Sequence, residues 1–187
     1  MQVGVGTASE IDDMARWTGK TPHARDFEPA TWFLRQVGQA MGGVDLQRAR
    51  DAIQTAGRQM GAFHQRWDLL LTPTLAHPPV RLGELGLKPL DRFGLAALRA
   101  LPLKPAIRAA LASLAADNFE KSPNTQIFNQ TGQPAISLPL HMSPDGLPIG
   151  VQFSAAMGEE GLLLRLARQL EEAAPWIARR PAVCAGE

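Results

Sequence analysis

The feature that most constrains the fold is a pair of short apolar segments separated by a turn sequence. Residues 135–140 (AISLPL) and 149–153 (IGVQF) have the composition of strands, and Pro144-Asp145-Gly146 between them favours a turn. Gly158-Glu159-Glu160 then begins an amphipathic helix with acidic residues in its first turn. Upstream, the apolar run over residues 68–74 is closed by Pro73 and predicts a buried strand. Strands that alternate with helices indicate a layered α/β fold.

The first half of the chain has helical periodicity. Asp26 is a candidate N-cap for a helix over residues 30–40, and Asp45 is one for a helix over residues 45–67. The short Gly42-Gly43 turn predicts that these helices pack antiparallel. The apolar positions of the second helix predict a core-facing seam, with a partner-binding face as the alternative: Leu46, Ala49, Ile53, Ala56, Met60, Phe63 and Trp67.

The remaining segments have weaker signals. Residues 1–28 predict a short helix at 11–17, irregular chain and a peripheral position. Prolines and glycines over residues 75–90 predict a surface loop, followed by helices at 93–101 and 106–116. No repeat or linker divides the chain, so we expect a single domain over residues 1–187.

Composition excludes several classes of function. A formal net charge of +1 gives no basic surface for nucleic acid. No apolar stretch is long enough to cross a membrane, so a soluble protein without a membrane partner is expected. The lone Cys184 allows no intrachain disulfide and favours the cytoplasm. The four histidines lack metal-ligand spacing, and Gly4-Val5-Gly6 lacks the third glycine of a dinucleotide motif, so neither metal nor cofactor is expected.

Several segments resemble the amidase signature family, in the order that the family uses. FNQTGQPAISLPL at residues 128–140 and GLPIGVQF at 146–153 carry most of the resemblance. Residues 28–32, 68–79 and 159–167 are similar to neighbouring family segments. The resemblance identifies the chain as the C-terminal part of an amidase. It implies part of a large mixed sheet with helices on both faces, a three-layer α/β/α fold.

The resemblance also implies a catalytic set that this chain lacks. Members of the family hydrolyse carboxylic amides with a serine nucleophile in a glycine-rich Ser-Ser loop, a bridging serine in a cis peptide bond and an upstream lysine. No two of the six serines here are adjacent, and none of the four lysines lies at a matching position. No catalytic residue is therefore assigned, and the chain alone is expected to be inactive.

A contribution to substrate binding remains. In relatives, the loop before the Asn-x-Thr-Gly turn lines the acyl pocket, which makes Thr125, Gln126 and Phe128 the substrate-binding candidates. Asn124, Gln126 and Ile127 depart from the family's aromatic, small and proline residues, which leaves the shape of the pocket open. Structural roles are expected for the other motif residues, which are Asn129, Thr131, Gly132, Pro134 and Gly150. Of these, Asn129 and Thr131 are expected to cap the end of a helix.

Three functional hypotheses follow. The chain is the C-terminal part of an amidase whose partner is the N-terminal half, with a small amide as substrate only when complete. Alternatively, it is a non-catalytic domain that binds partners or self-associates through unpaired strand edges. The third hypothesis is an autonomous enzyme, for which Ser122, Thr125 and His141 are the residues to test.

Overall fold

The computed structural model describes residues 2–84, 86, 89–101 and 103–179, so that Lys88 and Cys184 lie outside the described residues. Its helices are α1 (Gln2–Thr18), α2 (Pro29–Ala40), α3 (Gly43–His64), α4 (Pro89–Ala100), α5 (Lys104–Lys121), α6 (Gln126–Thr131) and α7 (Glu160–Ala173). Its strands are β1 (Leu69–Pro73), β2 (Ala135–Met142) and β3 (Pro148–Ala155). Among the described residues, no helix combines the length and the apolar character that crossing a bilayer requires.

The chain forms two compact units, each with its own hydrophobic core. The helical unit comprises Met1–Ile53 and Val80–Glu120, and the sheet unit comprises Gln54–Pro79 and Lys121–Glu187. The core of the helical unit consists of Phe33, Val37, Ala40, Leu95 and Ile107. The core of the sheet unit consists of Leu138, Phe153, Ala155 and Leu163. A single domain over residues 1–187 remains a prediction for the whole protein.

In the helical unit, α1 is much longer than the sequence indicates, because close packing compensates for its glycines. A methyl group on Gly4 would lie 2.8 Å from Val37 Cγ1, and one on Gly38 would lie 2.8 Å from Ala8 Cβ. The two backbones therefore approach closely, and α2 packs against both α1 and α4. Glycine costs a helix about 1 kcal/mol relative to alanine, but here it permits the tertiary contact that stabilises the helix.

The start of α2 differs from the prediction. Glu28 is the N-cap residue and Pro29 occupies the first turn, as its fixed φ favours. Asp26 instead ends a short 3-10 turn at Ala24–Asp26, where its carboxylate accepts a 2.9 Å hydrogen bond from the backbone N–H of His23. The prediction of Asp26 as the N-cap was wrong, because its side chain caps the preceding turn.

The apolar seam of α3 is not a buried core face in the described part of the chain. None of the residues of α3 is fully buried, and Trp67, just beyond its end, is 58% exposed. Helix α2 packs mainly against α1 and α4, so the antiparallel α2–α3 pair was wrong. Periodicity identifies which face of a helix is apolar, but burial depends on neighbouring elements, and α3 makes few contacts with other elements.

The sheet unit is built on three antiparallel strands in the order β1-β3-β2. Leu71 pairs with Phe153, and Phe153 pairs with Ile136 on its other side. Helix α7 packs on β2 and β3, with Leu163 as its buried anchor. The combination of helices with an antiparallel sheet confirms the α/β class.

Strand β1 lies at an edge of the described sheet and is only partly covered. Leu71 is 60% exposed, and no residue of β1 is fully buried. The prediction that this strand is buried was wrong. An apolar run predicts a strand, but it does not show whether the strand lies in the centre or at the edge of the sheet. The strand does end at Pro73, as its missing N–H requires.

Candidate functional site

The loop that precedes α6, residues 122–125, is anchored to the sheet by two amide side chains. Asn124 Nδ2 donates to the carbonyl oxygen of Pro73 at 3.0 Å. Gln152 Nε2 donates to the carbonyl oxygen of Asn124 at 3.1 Å and to Thr72 Oγ1 at 3.2 Å. Gln152 is only 6% exposed, so these bonds form away from water and hold the loop against β1 and β3.

The three substrate-binding candidates lie together at the start of α6. Thr125 is the N-cap residue, has helical φ and ψ, and makes no side-chain capping bond. Its side chain is half-buried, while Gln126 is exposed. Phe128 is 6% exposed, so its ring packs in the interior and supports the shape of this region.

The end of α6 is capped by the motif that follows. Thr131 Oγ1 donates to the carbonyl oxygen of Ile127 at 2.9 Å. Gly132 has a left-handed φ of +84°, and its N–H donates to the carbonyl oxygen of Phe128 at 2.9 Å. The carbonyl oxygen of Pro134 accepts from Ala155 N at 3.2 Å, which joins the chain to β3. Asn129 is exposed. These residues deliver the chain from α6 into β2.

Gly150, in the middle of β3, lies against two hydroxyl groups. A methyl group at this position would lie 2.6 Å from Ser137 Oγ and 2.8 Å from Thr74 Oγ1. The N–H of Thr74 donates to the carbonyl oxygen of Gly150 at 3.1 Å, which draws the chain beyond β1 onto β3. No side chain fits between these groups.

Close to the end of α6, the sheet unit contains a cavity of about 580 Å³, which we call the sheet-unit cavity. Thr131, Gln133, Met157 and the second half of α3, including Arg58 and His64, line it. His64 Nδ1 lies 3.0 Å from the carbonyl oxygen of Trp67. A carbonyl only accepts hydrogen bonds, so Nδ1 carries the proton. His64 Nε2 is enclosed and has no partner among the described residues.

The described side chains do not form a hydrolytic centre. Ser137 is bonded to Thr74, Ser143 Oγ accepts from Leu147 N, and the buried Ser154 Oγ has no partner among the described residues. No described hydrogen bond joins Ser122, Thr125 and His141. Within the described ranges, no group of three or more His, Cys, Asp or Glu residues could hold a metal ion. Among the described side chains, this arrangement supplies no activated nucleophile.

Two features of this region were missed by sequence reasoning. Gln152 was treated only as part of a strand, although a polar residue in an apolar segment signals a buried hydrogen-bond partner. His64 was considered only as one of four histidines without metal-ligand spacing, whereas its enclosed Nε2 atom has no partner among the described residues. No local signal could have placed His64 beside Thr131, because 67 positions separate them.

Comparison with known proteins identifies the family. A sequence profile described as "Amidase" matches residues 2–164. The 6-aminohexanoate-cyclic-dimer hydrolase of Pseudomonas sp. is 38% identical over 179 residues, which are 95% of this chain and 33% of that protein. The lipoamidase of Enterococcus faecalis is 35% identical over 178 residues, which are 90% of this chain and 23% of that protein.

A comparison with solved structures identifies the same kind of relative as the sequence comparison. The structure of 6-aminohexanoate cyclic dimer hydrolase complexed with substrate matches with a TM-score of 0.71 and 35% identity, over 96% of this chain and 34% of that one. The chain thus spans about a third of the length of the 6-aminohexanoate-cyclic-dimer hydrolases and 23% of the lipoamidase. It belongs to the amidase family and corresponds to a C-terminal portion of an amidase.

Proposed function

We propose that this chain is the structural and substrate-contacting C-terminal portion of an enzyme that hydrolyses carboxylic amide C–N bonds. The observation that carries the proposal is the family match over residues 2–164 in a chain whose six serines are all isolated. The serine pair and the lysine would come from the N-terminal part of the enzyme. The chain alone would then fold without hydrolysing amides.

The loop over residues 122–125 and the start of α6 would form part of the acyl pocket. The bonds from Gln152 and Asn124 support this role, because a binding loop needs a fixed position relative to the sheet. Gln126 is exposed and would contact the substrate. Phe128 is buried, so it would affect the shape of the pocket through its packing.

The substrate would be a short linear or oligomeric amide. The name of one relative, 6-aminohexanoate-cyclic-dimer hydrolase, supports the oligomeric part of this class, and the name of another, lipoamidase, supports an amide substrate. A reducing cytoplasm is the expected location, and no nucleic-acid partner is expected.

A chimera tests the proposal directly. The segment of the Pseudomonas 6-aminohexanoate-cyclic-dimer hydrolase that matches this chain would be replaced by residues 1–187, and hydrolysis of the cyclic dimer would be measured. We expect activity from the chimera and none from this chain alone. A soluble, folded chimera with no hydrolysis would count against the proposal.

Two exposed glutamines on α6 provide a matched pair within the chimera. Replacing Gln126 by alanine should raise KM by about 3- to 10-fold, which corresponds to one lost hydrogen bond. Gln130→Ala, one turn further along the same helix, should leave KM unchanged. Equal effects of the two changes on KM would show that Gln126 is not part of the acyl pocket.

A free-standing domain that self-associates is the second candidate. The partly exposed edge strand β1 and the incompletely buried apolar seam of α3 favour it, because such surfaces promote association. Sedimentation equilibrium distinguishes the two candidates. A stable oligomer of the isolated chain that also fails to support the chimera favours this second candidate.

A further inference from the structure

The helical unit contains a second cavity, of about 500 Å³, which we call the helical-unit cavity. Its volume falls within the range typical of small-molecule sites, about 300–1,000 Å³. The residues that define its chemistry come from α2 and its N-cap and from α4: Glu28, Trp32, Gln36, Arg92, Leu95 and Arg99. None of the residues proposed above for amide hydrolysis lines it.

Two lining residues of this cavity on α2, Gln36 and Trp32, are held in place by neighbouring groups. Gln36 is buried, and its Nε2 atom donates to the carbonyl oxygen of Leu98 at 2.8 Å, which ties α2 to α4. The Arg35 guanidinium lies 4.9 Å from the centre of the Trp32 ring and forms an ion pair with Asp12 at 3.0 Å. The indole of Trp32 is therefore fixed before any ligand arrives, which lowers the entropy cost of binding.

The charges around the cavity favour an anion. Arg92 and Arg99 lie on α4 and neither forms an ion pair with a described carboxylate. Glu28 is the acidic residue in the lining, so two guanidinium groups against one carboxylate leave a local charge of +1. A guanidinium matches a carboxylate with two parallel hydrogen bonds. Glu28 would repel a second negative charge on a ligand.

We propose that the helical-unit cavity binds a medium-chain aliphatic monocarboxylate. The alkyl chain lies against Trp32 and Leu95, and the carboxylate pairs with Arg92 and Arg99. The site is independent of the proposed amide hydrolysis, because binding is measured on this chain alone and needs no N-terminal part.

The test is calorimetric titration of the full 187-residue chain with sodium octanoate, with tryptophan fluorescence as a second readout. We expect saturable binding of one octanoate per chain. Hexanoate should bind more weakly by about fourfold for each methylene removed, the ratio expected for burial of a CH₂ group. 1-Octanol has the same chain without the charge and should bind at least about tenfold more weakly than octanoate.

Variants of opposite sign test the charge. Arg92→Gln and Arg99→Gln should each weaken octanoate binding by about 3- to 10-fold, and Glu28→Gln should strengthen it. Glu28 makes no side-chain capping bond, so its replacement leaves the start of α2 intact. Arg48→Gln, an exposed arginine outside the cavity, is the control and should bind as the parent chain does.

A cavity-filling variant tests the position of the ligand. Ala96 is exposed and lines the cavity, so Ala96→Trp fills the space without replacing a core residue. It should abolish octanoate binding while the far-ultraviolet circular dichroism stays unchanged. Absence of saturable binding to the folded parent chain, octanol binding equal to octanoate, or an equal loss in Arg48→Gln would overturn the proposal.

Discussion

The hydroxyl groups of Thr74 and Ser137 lie 2.6 Å apart, although 63 positions separate these residues in the chain. Both oxygens lie directly against Gly150 of β3, in the space that a side chain would otherwise fill. A single hydrogen bond therefore connects the residue after β1 to β2 across the central strand. It can form only because residue 150 has no Cβ atom.

Gly150→Ala should destabilise the protein by about 1–3 kcal/mol, the usual cost of inserting a methyl group into a close-packed site. The added Cβ would lie 2.6 Å from Ser137 Oγ, well inside van der Waals contact. Urea unfolding followed by circular dichroism measures the change. Gly57→Ala in α3 is the matched control, because nothing lies within 4 Å of its new methyl group, and it should stabilise by about 0.5–1 kcal/mol.

The same clash predicts a rescue. Adding Ser137→Ala to Gly150→Ala removes one of the two crowding oxygens, so the double variant should recover part of the lost stability. The coupling between the two changes should be about 0.5–3 kcal/mol, as for other residues in direct contact. Strict additivity of the two changes would show that Ser137 does not limit the space at Gly150.

The contact between α1 and α2 gives a second prediction. A methyl group on Gly38 would overlap the carbonyl oxygen of Gly4 and lie 2.8 Å from Ala8 Cβ, so Gly38→Ala should cost about 1–3 kcal/mol. Gly6→Ala, on α1 with no neighbour within 4 Å, should instead stabilise by about 0.5–1 kcal/mol. Thermal unfolding of the two variants distinguishes them, and a similar response of both would mean that the helices do not approach closely at Gly38.

These glycines also show why the sequence predicted some elements and not others. Residues 135–140 and 149–153 were correctly predicted as strands, because composition and the Pro-Asp-Gly turn act locally. Helix α1 was underestimated, because its glycines disfavour a helix locally and favour one only through contact with α2. A single sequence shows local preferences such as strand composition and turn residues, but it does not show which helices come into contact.

The candidate site divides in the same way. The family motif directed attention to Thr125, Gln126 and Phe128, which lie together because they are close in sequence. The bonds from Gln152 to Thr72 and Asn124 span 80 and 28 positions, so only the folded sheet reveals them. The helical-unit cavity likewise combines residues of α2 and α4, and no sequence motif predicts it.

The Gln152 bonds give a third prediction. Gln152→Met keeps the length of the side chain but removes its donor, which leaves the carbonyl oxygen of Asn124 and the hydroxyl of Thr72 without their partner. We expect a loss of about 1–3 kcal/mol and faster amide hydrogen exchange over residues 122–126. Gln59→Met, an exposed position on α3, is the control and should change stability by less than about 0.5 kcal/mol. Unchanged exchange over residues 122–126 would mean that Gln152 does not hold this loop.

Ser154 gives a prediction of the opposite sign. Its side chain is 0% exposed, and its Oγ atom has no hydrogen-bond partner among the described residues. Burying a hydroxyl without a partner costs about 1–3 kcal/mol, so Ser154→Ala should leave stability unchanged or raise it. Ser143→Ala is the matched control, because Ser143 Oγ accepts a 3.0 Å hydrogen bond from Leu147 N in the β2–β3 turn. That change should cost about 0.5–1.5 kcal/mol. Urea unfolding of the two variants measures the difference. A clear loss in Ser154→Ala would mean that its hydroxyl has a hydrogen-bond partner in the folded chain.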